Sequence, residues 1–187
     1  MMKKLYGMIL VVLFLCGCSG NNQEFDRAMR LRTSLLNAEG CNFETTITAS
    51  FSDQTYTFSM NCRTDREGNI GFSVTNPEYI AGIGGTIGVE GGKLTFDDAV
   101  LAFALQTDGI LSPVSAPWVL MQAMRSGYVR YCVQEDDLLR VTVDDSYQDD
   151  ALTLDIWINS DGQPIQADIF ENNRRILTMT IRNYTLL

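Results

Sequence analysis

The sequence predicts an α+β domain in which an antiparallel β-sheet with one apolar, concave side carries an N-terminal helix and a short mid-chain helix. Three observations lead to this fold class. Apolar residues recur every three or four positions over residues 24–39, and they alternate with a period of two in most segments from residue 41 onward. A short apolar stretch at residues 115–127 interrupts the strands with a helical pattern.

The first twenty residues have the order of a bacterial lipoprotein signal. Lys3 and Lys4 precede an apolar run at residues 5–15, which is shorter than the roughly 20 residues that a membrane span needs. Gly17 supplies a small residue directly before Cys18, whereas bulky Leu15 precedes Cys16. The sequence therefore predicts a lipoprotein signal peptide at 1–17, acylation of Cys18 with palmitate-like chains, a lipidated tether at 18–23 and a single domain at 24–187. The alternative is an ordinary cleaved signal with incidental cysteines.

This signal predicts an exported protein in the cell envelope. Several acyl chains on Cys18 would supply the multiple anchors that stable membrane attachment requires. We therefore expect the domain at the outer face of the cell membrane, or at the outer membrane if the cell has two membranes.

The amino-acid composition excludes several classes of partner and of catalytic site. The chain has 14 basic and 23 acidic residues, a net charge of −9, so nucleic acid and anionic bilayer surfaces are poor partners. It has no histidine, which excludes Ser-His-Asp and Cys-His catalysis and histidine-ligated zinc. The acidic clusters at 135–137, 144–145 and 149–150 fall in predicted turns and lack the spacing of a calcium loop. We expect no cofactor, no metal and no enzymatic activity; a carboxylate-only enzyme is a weaker alternative.

The domain begins with a predicted amphipathic helix at residues 24–39, which Gly40 ends. Its apolar stripe consists of Phe25, Ala28, Met29, Leu35 and Leu36.

A hairpin follows at residues 41–63, turning near residues 52–53. A loop at 51–52 places Cys41 directly opposite Cys62, and a loop at 52–53 makes them diagonal neighbours. In an exported protein either register favours a Cys41–Cys62 disulfide, with two buried free thiols as the alternative. Cys132 is left over as a small apolar residue of a later strand.

Further strands are predicted at residues 69–76, 86–90, 93–96 and 100–105, and an antiparallel meander at 128–134, 138–143, 152–158, 165–170 and 176–184. The glycines between 82 and 92 lack the ending of a phosphate-binding loop and mark turns and a kinked strand. One face of the meander is apolar along its whole width, and the opposite face is largely polar.

The mid-chain helix is bounded by Ser115 as a cap, Pro117 in its first turn and Gly127 at its end. It must lie against the sheet. Two interpretations are open: plain core packing, or a lid over a cavity in which the flexible side chains of Met121 and Met124 contact an apolar ligand.

The order of elements behind the lipobox resembles the LolA/LolB-like family of lipoprotein carriers and lipid-binding envelope proteins. The stretch at residues 154–170 is similar to the family's late hairpin, in which a strand ending in Trp157-Ile158 is followed by a turn, Pro164 and a second strand.

The resemblance implies a half-open antiparallel β-barrel, with helices over its mouth and acyl chains in its apolar hollow. It also implies which residues line the hollow. The wall consists of Phe43, Ile47, Phe58, Met60, Phe72, Leu154, Ile156, Ile165, Ile169 and Met179, and the lid of Trp118, Met121 and Met124.

Two functions are therefore expected. The first is a membrane-anchored lipoprotein that binds a lipid, glycolipid or acyl chain in this barrel. The alternative is a barrel packed shut, whose outer face docks another envelope protein, such as a cell-wall enzyme that it activates. Trp157 and Phe170, which fall out of phase with the apolar stripe, are the expected anchors of that second function.

Overall fold

The computed structural model describes residues 22–51, 54–97, 99–104, 106–107, 110–148 and 151–187. The predicted signal peptide, the acylation site Cys18 and most of the tether lie outside the described residues. Within the described part of the chain, no helix is both long and apolar enough to cross a membrane.

The described residues form two α-helices and thirteen β-strands. The helices are α1 (Asn22–Asn37) and α2 (Ala116–Ser126). The strands are β1 (Cys41–Phe51), β2 (Gln54–Thr64), β3 (Ile70–Asn76), β4 (Gly84–Gly88), β5 (Gly91–Phe96), β6 (Ala99–Phe103), β7 (Gln106–Thr107), β8 (Ile110–Leu111), β9 (Tyr128–Glu135), β10 (Leu138–Asp144), β11 (Thr153–Ile158), β12 (Pro164–Glu171) and β13 (Arg174–Leu186).

Eleven strands form one antiparallel sheet in the order β6-β5-β4-β3-β2-β1-β13-β12-β11-β10-β9. Strands β6 and β9 stand at its two ends and do not pair with each other, so the sheet is not closed. Strands β7 and β8 form a separate small hairpin, which the sequence did not predict. The predicted fold class, an open antiparallel sheet with an N-terminal and a mid-chain helix, is confirmed.

Period-two alternation places one row of apolar side chains across six neighbouring strands. The register pairs Ile47 with both Phe58 and Met179, and continues from Met179 through Ala167 and Ile156 to Val141. Every member of this row is buried. The side chains of Leu35 from α1 and of Leu120 from α2 belong to the same buried cluster, so both helices lie on this face of the sheet.

The apolar stripe of α1 differs from the prediction. Ala28 and Leu35 are buried, but the side chains of Phe25 and Leu36 are 44% and 45% exposed. A helix at the mouth of an open sheet rests one narrow face on the core, so residues at the margins of a predicted stripe stay in water.

The first hairpin adopts one of the two expected registers. Phe51 pairs with Gln54, which is the register expected for a loop at 52–53, and Cys62 stands opposite Phe43 rather than Cys41. Both cysteines are buried, as expected, but the structure has them as free thiols. Thr64 Oγ1 donates a hydrogen bond to Cys41 Sγ at 3.3 Å. The disulfide between these diagonal neighbours stays a prediction.

Candidate functional site

The predicted wall residues come together on the concave face. Those on β1–β3 and β11–β13 that are at most 9% exposed are Phe43, Ile47, Phe58, Met60, Phe72, Leu154, Ile156, Ile169 and Met179. They form the floor beneath α1 and α2, and their contact with a ligand stays a prediction.

Ile165 departs from this wall. The ladder between β11 and β12 shifts register, with Ile158 opposite Pro164 and Trp157 opposite Gln166. Ile165 is the extra residue of this bulge and is only half-buried. A bulge breaks the alternation of the strand locally, so simple period-two counting put Ile165 in the row that Ala167 and Ile169 occupy.

Helix α2 covers the concave face as the mid-chain pattern predicted. Met121 and Met124 are buried and Trp118 is half-buried, packed against the same cluster. The indole Nε1 of Trp118 is buried without a hydrogen-bond partner, as is Thr45 Oγ1 on the sheet below. An unsatisfied buried polar atom costs about 1–3 kcal/mol, so this closed packing is less stable than a fully satisfied one.

The side chain of Arg32 in α1 forms hydrogen bonds with the C-terminal end of α2. Its Nε donates to the Met124 carbonyl at 2.9 Å, and its Nη2 donates to the carbonyls of Ala123 at 3.2 Å and Gly127 at 2.7 Å. The last carbonyls of a helix have no partner within the helix and carry its negative dipole end, so a guanidinium satisfies both needs. Burial lowers the pKa of Arg32, although it remains a cation at any physiological pH. Sequence periodicity gave no reason to single out this arginine.

One cleft beneath the helices has little free volume. A cleft between α1, α2, β10 and β11 encloses a cavity of about 20 Å³, lined among others by Met29, Met124 and Ile156. That is room for about one water molecule. An acyl chain therefore cannot occupy this part of the concave face unless α2 moves.

At the end of the sheet formed by β4, β5 and β6, the concave face is no longer covered by the helices. We call β4, β5 and β6 the wing. One cross-strand row runs from Phe72 to Gly85, Leu94 and Leu101. Phe72 is 6% exposed, Leu94 is half-buried and Leu101 is 67% exposed. The apolar floor thus continues without interruption from the buried interior to an open surface.

Glycines in this part of the sheet make room for aromatic rings on its concave face. The ring of Phe72 lies over Gly85, and the ring of Phe103 lies over Gly92, in places where a Cβ atom would collide with them. Phe103 and Gly92 belong to the neighbouring row, which begins at Ile70 and passes through Ile87. Glycine in a strand interior often marks such a close approach, and the glycine-rich stretch of the sequence serves this packing.

An open cleft of about 620 Å³ lies where β4 turns into β5. Its lining includes the apolar Ile87 and Phe103 together with the charged Asp65, Glu90 and Lys93. This volume falls within the range of about 300–1,000 Å³ that small-molecule sites occupy. An apolar floor beside charged groups of both signs suits a molecule with a hydrocarbon part and a polar head.

The outer face carries a polar network around Trp157. Its Nε1 donates to Glu135 Oε2 at 2.9 Å, and Arg140 Nε donates to Glu135 Oε1 at 2.6 Å. These two hydrogen bonds hold the pKa of Glu135 below its usual value. Trp157 and Phe170 are each half-buried on this face. They therefore belong to the surface of the sheet and not to the core.

Buried thiols give the domain a pH dependence. Burial, and to a lesser degree the neighbouring Cys41, raises the pKa of Cys62 above the usual 9.0 of a thiol. The thiolate then forms only in the unfolded chain, so the stability that Cys62 contributes is complete below pH 9 and is lost as the pH rises above it.

We therefore expect the free energy of unfolding of the reduced protein to fall between pH 9 and pH 11 by up to about 1.4 kcal/mol per pH unit for this thiol. Urea unfolding over this range measures it, and Cys62→Ala should reduce the slope by this amount, leaving the part that comes from Cys41, Cys132 and Tyr184, whose pKa values burial also raises. An unchanged slope in Cys62→Ala would assign the effect to those other groups. A smaller slope in the unreduced wild type than after reduction would indicate the disulfide.

The chemistry of the described residues includes no cluster of three or more His, Cys, Asp or Glu side chains that could hold a metal ion. What the described site offers is an apolar surface that α1 and α2 cover in part, and a cleft with charged residues at its open end.

No protein-family model and no curated protein sequence matches the chain. Solved structures do match. A LolA superfamily protein from Nitrosomonas europaea is 8% identical, over 86% of this chain and 93% of that one, with a TM-score of 0.47. The lipoprotein LppX from Mycobacterium tuberculosis is 9% identical over 87% and 93%, with a TM-score of 0.42. LprF from Mycobacterium bovis is 9% identical over 87% and 92%, with a TM-score of 0.40.

Similarity at this level concerns the arrangement of helices and strands only. A LolA superfamily protein is thus among the solved structures that match, and this is the family that the sequence resembles.

Proposed function

We propose that this chain is a membrane-anchored lipoprotein that binds the acyl chain of a lipid, glycolipid or acylated molecule on its concave face, and that it is not an enzyme. The single observation that carries the proposal is the apolar row from Phe72 to Leu101, buried at one end and 67% exposed at the other. Burying exposed hydrocarbon is worth about 25 cal/mol per Å², so an acyl chain laid along this row gains binding energy from surface that is otherwise in water.

The charged cleft supports an amphiphile rather than a pure hydrocarbon. Lys93, Glu90 and Asp65 border the apolar Ile87 and Phe103 at the end of the wing. A hydrocarbon chain on the floor would leave its polar head near Glu90 and Asp65 at the end of the β4–β5 hairpin, where hydrogen bonds are available without burial of an unpaired charge. Lys93, one position out of phase with Leu94, points to the other face.

Binding in two stages fits the closed interior. The wing is accessible as it stands, whereas the space beneath α2 holds about 20 Å³. The ligand therefore contacts the wing first and reaches the wall residues only as α2 moves aside. The unsatisfied Nε1 of Trp118 and the flexible side chains of Met121 and Met124 lower the free energy that this movement requires.

Anchoring through Cys18 would keep the site beside its source of ligand. Helix α1 begins at Asn22, only four residues after Cys18. An extended chain spans at most about 3.6 Å per residue, so such a tether holds the domain within about 15 Å of the lipid headgroups. Acylation at this cysteine and location in the envelope are part of the proposal.

The proposal predicts opposite results for two neighbouring residues of β6. Leu101 belongs to the concave row and Val100 points to the other face, while their side chains are 67% and 62% exposed. We expect Leu101→Glu to weaken the binding of a fluorescent fatty acid to residues 21–187 at least tenfold, because a carboxylate would lie against the hydrocarbon. Val100→Glu, the matched control, should bind within twofold of the wild type.

Fluorescence titration gives both affinities, and thermal unfolding checks that both variants are folded. If Leu101→Glu and Val100→Glu bind the fatty acid with equal affinity, the wing is not part of the binding site. Trp157→Ala on the outer face should also leave the affinity unchanged.

A second function, docking of an envelope protein, is favoured by one specific observation. The described cleft between α1, α2, β10 and β11 holds only about 20 Å³, as it would in a barrel that is packed shut. In that case the outer-face network of Trp157, Glu135 and Arg140 would be the contact surface. Failure of the fatty acid to bind wild type, together with loss of a captured envelope protein in Trp157→Ala, would favour this function.

A further inference from the structure

Strand β6 is a bare edge of the sheet. It stands at the end of the strand order, and no described strand pairs with its free side. Its five residues, Ala99–Phe103, carry no charge and include no proline, and they follow Asp97 at the turn. Natural sheets protect an edge with charges, proline, bulges or a covering element, because unpaired backbone groups invite pairing with another strand. Within the described part of the chain, no charge, proline, bulge or further strand protects β6, so this edge is available for pairing with another strand.

The backbone groups available on this edge can be identified from the register. Phe96 pairs with Ala99 across a two-residue turn, and the pair that closes such a turn exchanges its hydrogen bonds. Alternate residues of β6 therefore point their N–H and C=O groups toward β5 at Ala99, Leu101 and Phe103. The groups of Val100 and Ala102 point to the free side.

We propose that β6 pairs antiparallel with β6 of a second copy of this chain, about a two-fold axis that passes beside Leu101. Val100 then stands opposite Ala102 of the other copy and exchanges both hydrogen bonds with it, which happens twice by symmetry. Leu101 meets its own copy, and the small Ala99 meets the large Phe103. The strand is thus self-complementary in hydrogen bonding and in side-chain size.

Charge favours a second copy at this place. The chain has a net charge of −9, so two copies repel each other over most of their surfaces. Like charges directly opposite each other destabilise a strand pair, and β6 brings none to the contact. An uncharged edge on a strongly acidic protein is where a copy of the same protein approaches at the lowest electrostatic cost.

Pairing would join the two concave faces. The row from Phe72 to Leu101 would continue into the same row of the second copy, and the side chain of Leu101 would be covered. A five-residue strand buries less than the roughly 1,200 Å² of a stable interface, so the contact is weak in solution and depends on a high local concentration. The proposal concerns chain pairing alone and holds whether or not the wing binds a ligand.

Cysteine cross-linking tests the register directly. In a pair without mutual hydrogen bonds the Cα atoms are about 4.5 Å apart, within disulfide range, so Leu101→Cys should link to its own copy. The two copies of residue 100 are diagonal neighbours, about 7–8 Å apart and beyond that range. We expect a covalent dimer on a non-reducing gel for the full chain carrying Leu101→Cys, oxidised in isolated membranes. Val100→Cys should give no more dimer than the wild type, which controls for the five native cysteines.

A second substitution tests the hydrogen bonds. Ala102→Pro removes an N–H that faces the free side and leaves the β5 ladder intact, so adding it to Leu101→Cys should reduce the covalent dimer at least fivefold. Equal dimer from Leu101→Cys and Val100→Cys would indicate random collision and overturn the proposal. So would the absence of dimer from both, or a linked species whose mass is not twice that of the chain. Fatty-acid titration of the same variants reports separately on ligand binding.

Discussion

Replacing Arg32 with alanine is expected to lower the free energy of unfolding by about 3 kcal/mol and to release the end of α2. Three hydrogen bonds from its guanidinium to the carbonyls of Ala123, Met124 and Gly127 would be lost. Hydrogen bonds to charged groups are worth about 1.5–3 kcal/mol each, and water would recover part of that at this half-buried site. No other described side chain donates to these three carbonyls.

Urea unfolding measures the change in stability, and native-state hydrogen exchange locates it. We expect the amides of α2 to exchange faster in Arg32→Ala, with little change in β1, β2 and β13. Arg30→Ala is the matched control, because Arg30 lies on the same helix but is exposed. Exchange in α2 that matches that of Arg30→Ala would mean that the guanidinium does not hold the lid.

The same variant bears on ligand binding. If α2 must move before a ligand reaches Met121 and the wall beneath it, a released α2 raises the fraction of molecules that can bind. We therefore expect fatty acid to associate faster with Arg32→Ala than with the wild type. An unchanged association rate, with α2 released, would confine the ligand to the wing.

A second large loss of stability is expected when Gly85 is replaced with alanine. A Cβ atom at this position would collide with the backbone carbonyl of Lys93 in β5 and with the ring of Phe72. The ring can shift, but the carbonyl belongs to the β4–β5 ladder, so the clash is relieved only by moving the strands apart. We expect Gly85→Ala to cost about 3 kcal/mol of stability, at the upper end of overpacking effects, and to weaken fatty-acid binding because the wing loses its alignment with β3.

Gly71 provides the matched control on the adjacent strand. A Cβ atom there would come no closer than 3.9 Å to the carbonyl of Arg63, an ordinary contact. Gly71→Ala should therefore change the free energy of unfolding by less than about 1 kcal/mol, in the stabilising direction if the strand backbone accommodates alanine. Similar urea midpoints for the two variants would contradict the close packing described at Gly85.

The order of elements follows closely from the sequence because strands with one buried face have an unambiguous period. Strand β1 is predicted and found at residues 41–51, and the five strands of the meander appear within two residues of their predicted bounds. The wall follows for the same reason, since Leu154, Ile156 and Ile169 keep the phase of their strands. The predicted position of Ile165 on the apolar side of β12 is wrong, because a β-bulge shifts the alternation of the strand there. A bulge leaves no mark in a hydrophobic pattern.

The parts of the site that the sequence did not reveal depend on contacts between distant segments. Arg32 looks like any polar residue of an amphipathic helix until α2 brings its carbonyls beside it. The exposure of Leu101 depends on where the helices end, which periodicity does not report. The sequence is compatible with two registers of Cys41 against Cys62, because they differ by only one residue in the position of the loop.

Native mass spectrometry of residues 21–187, purified without detergent and followed by organic extraction, tests most directly whether the concave face binds an acyl chain. We predict an additional mass that extraction identifies as an acylated molecule, that is retained in Val100→Glu and that is lost in Leu101→Glu. A mass equal to the bare chain, even after incubation with a lipid extract of bacterial envelopes, would contradict the proposed function.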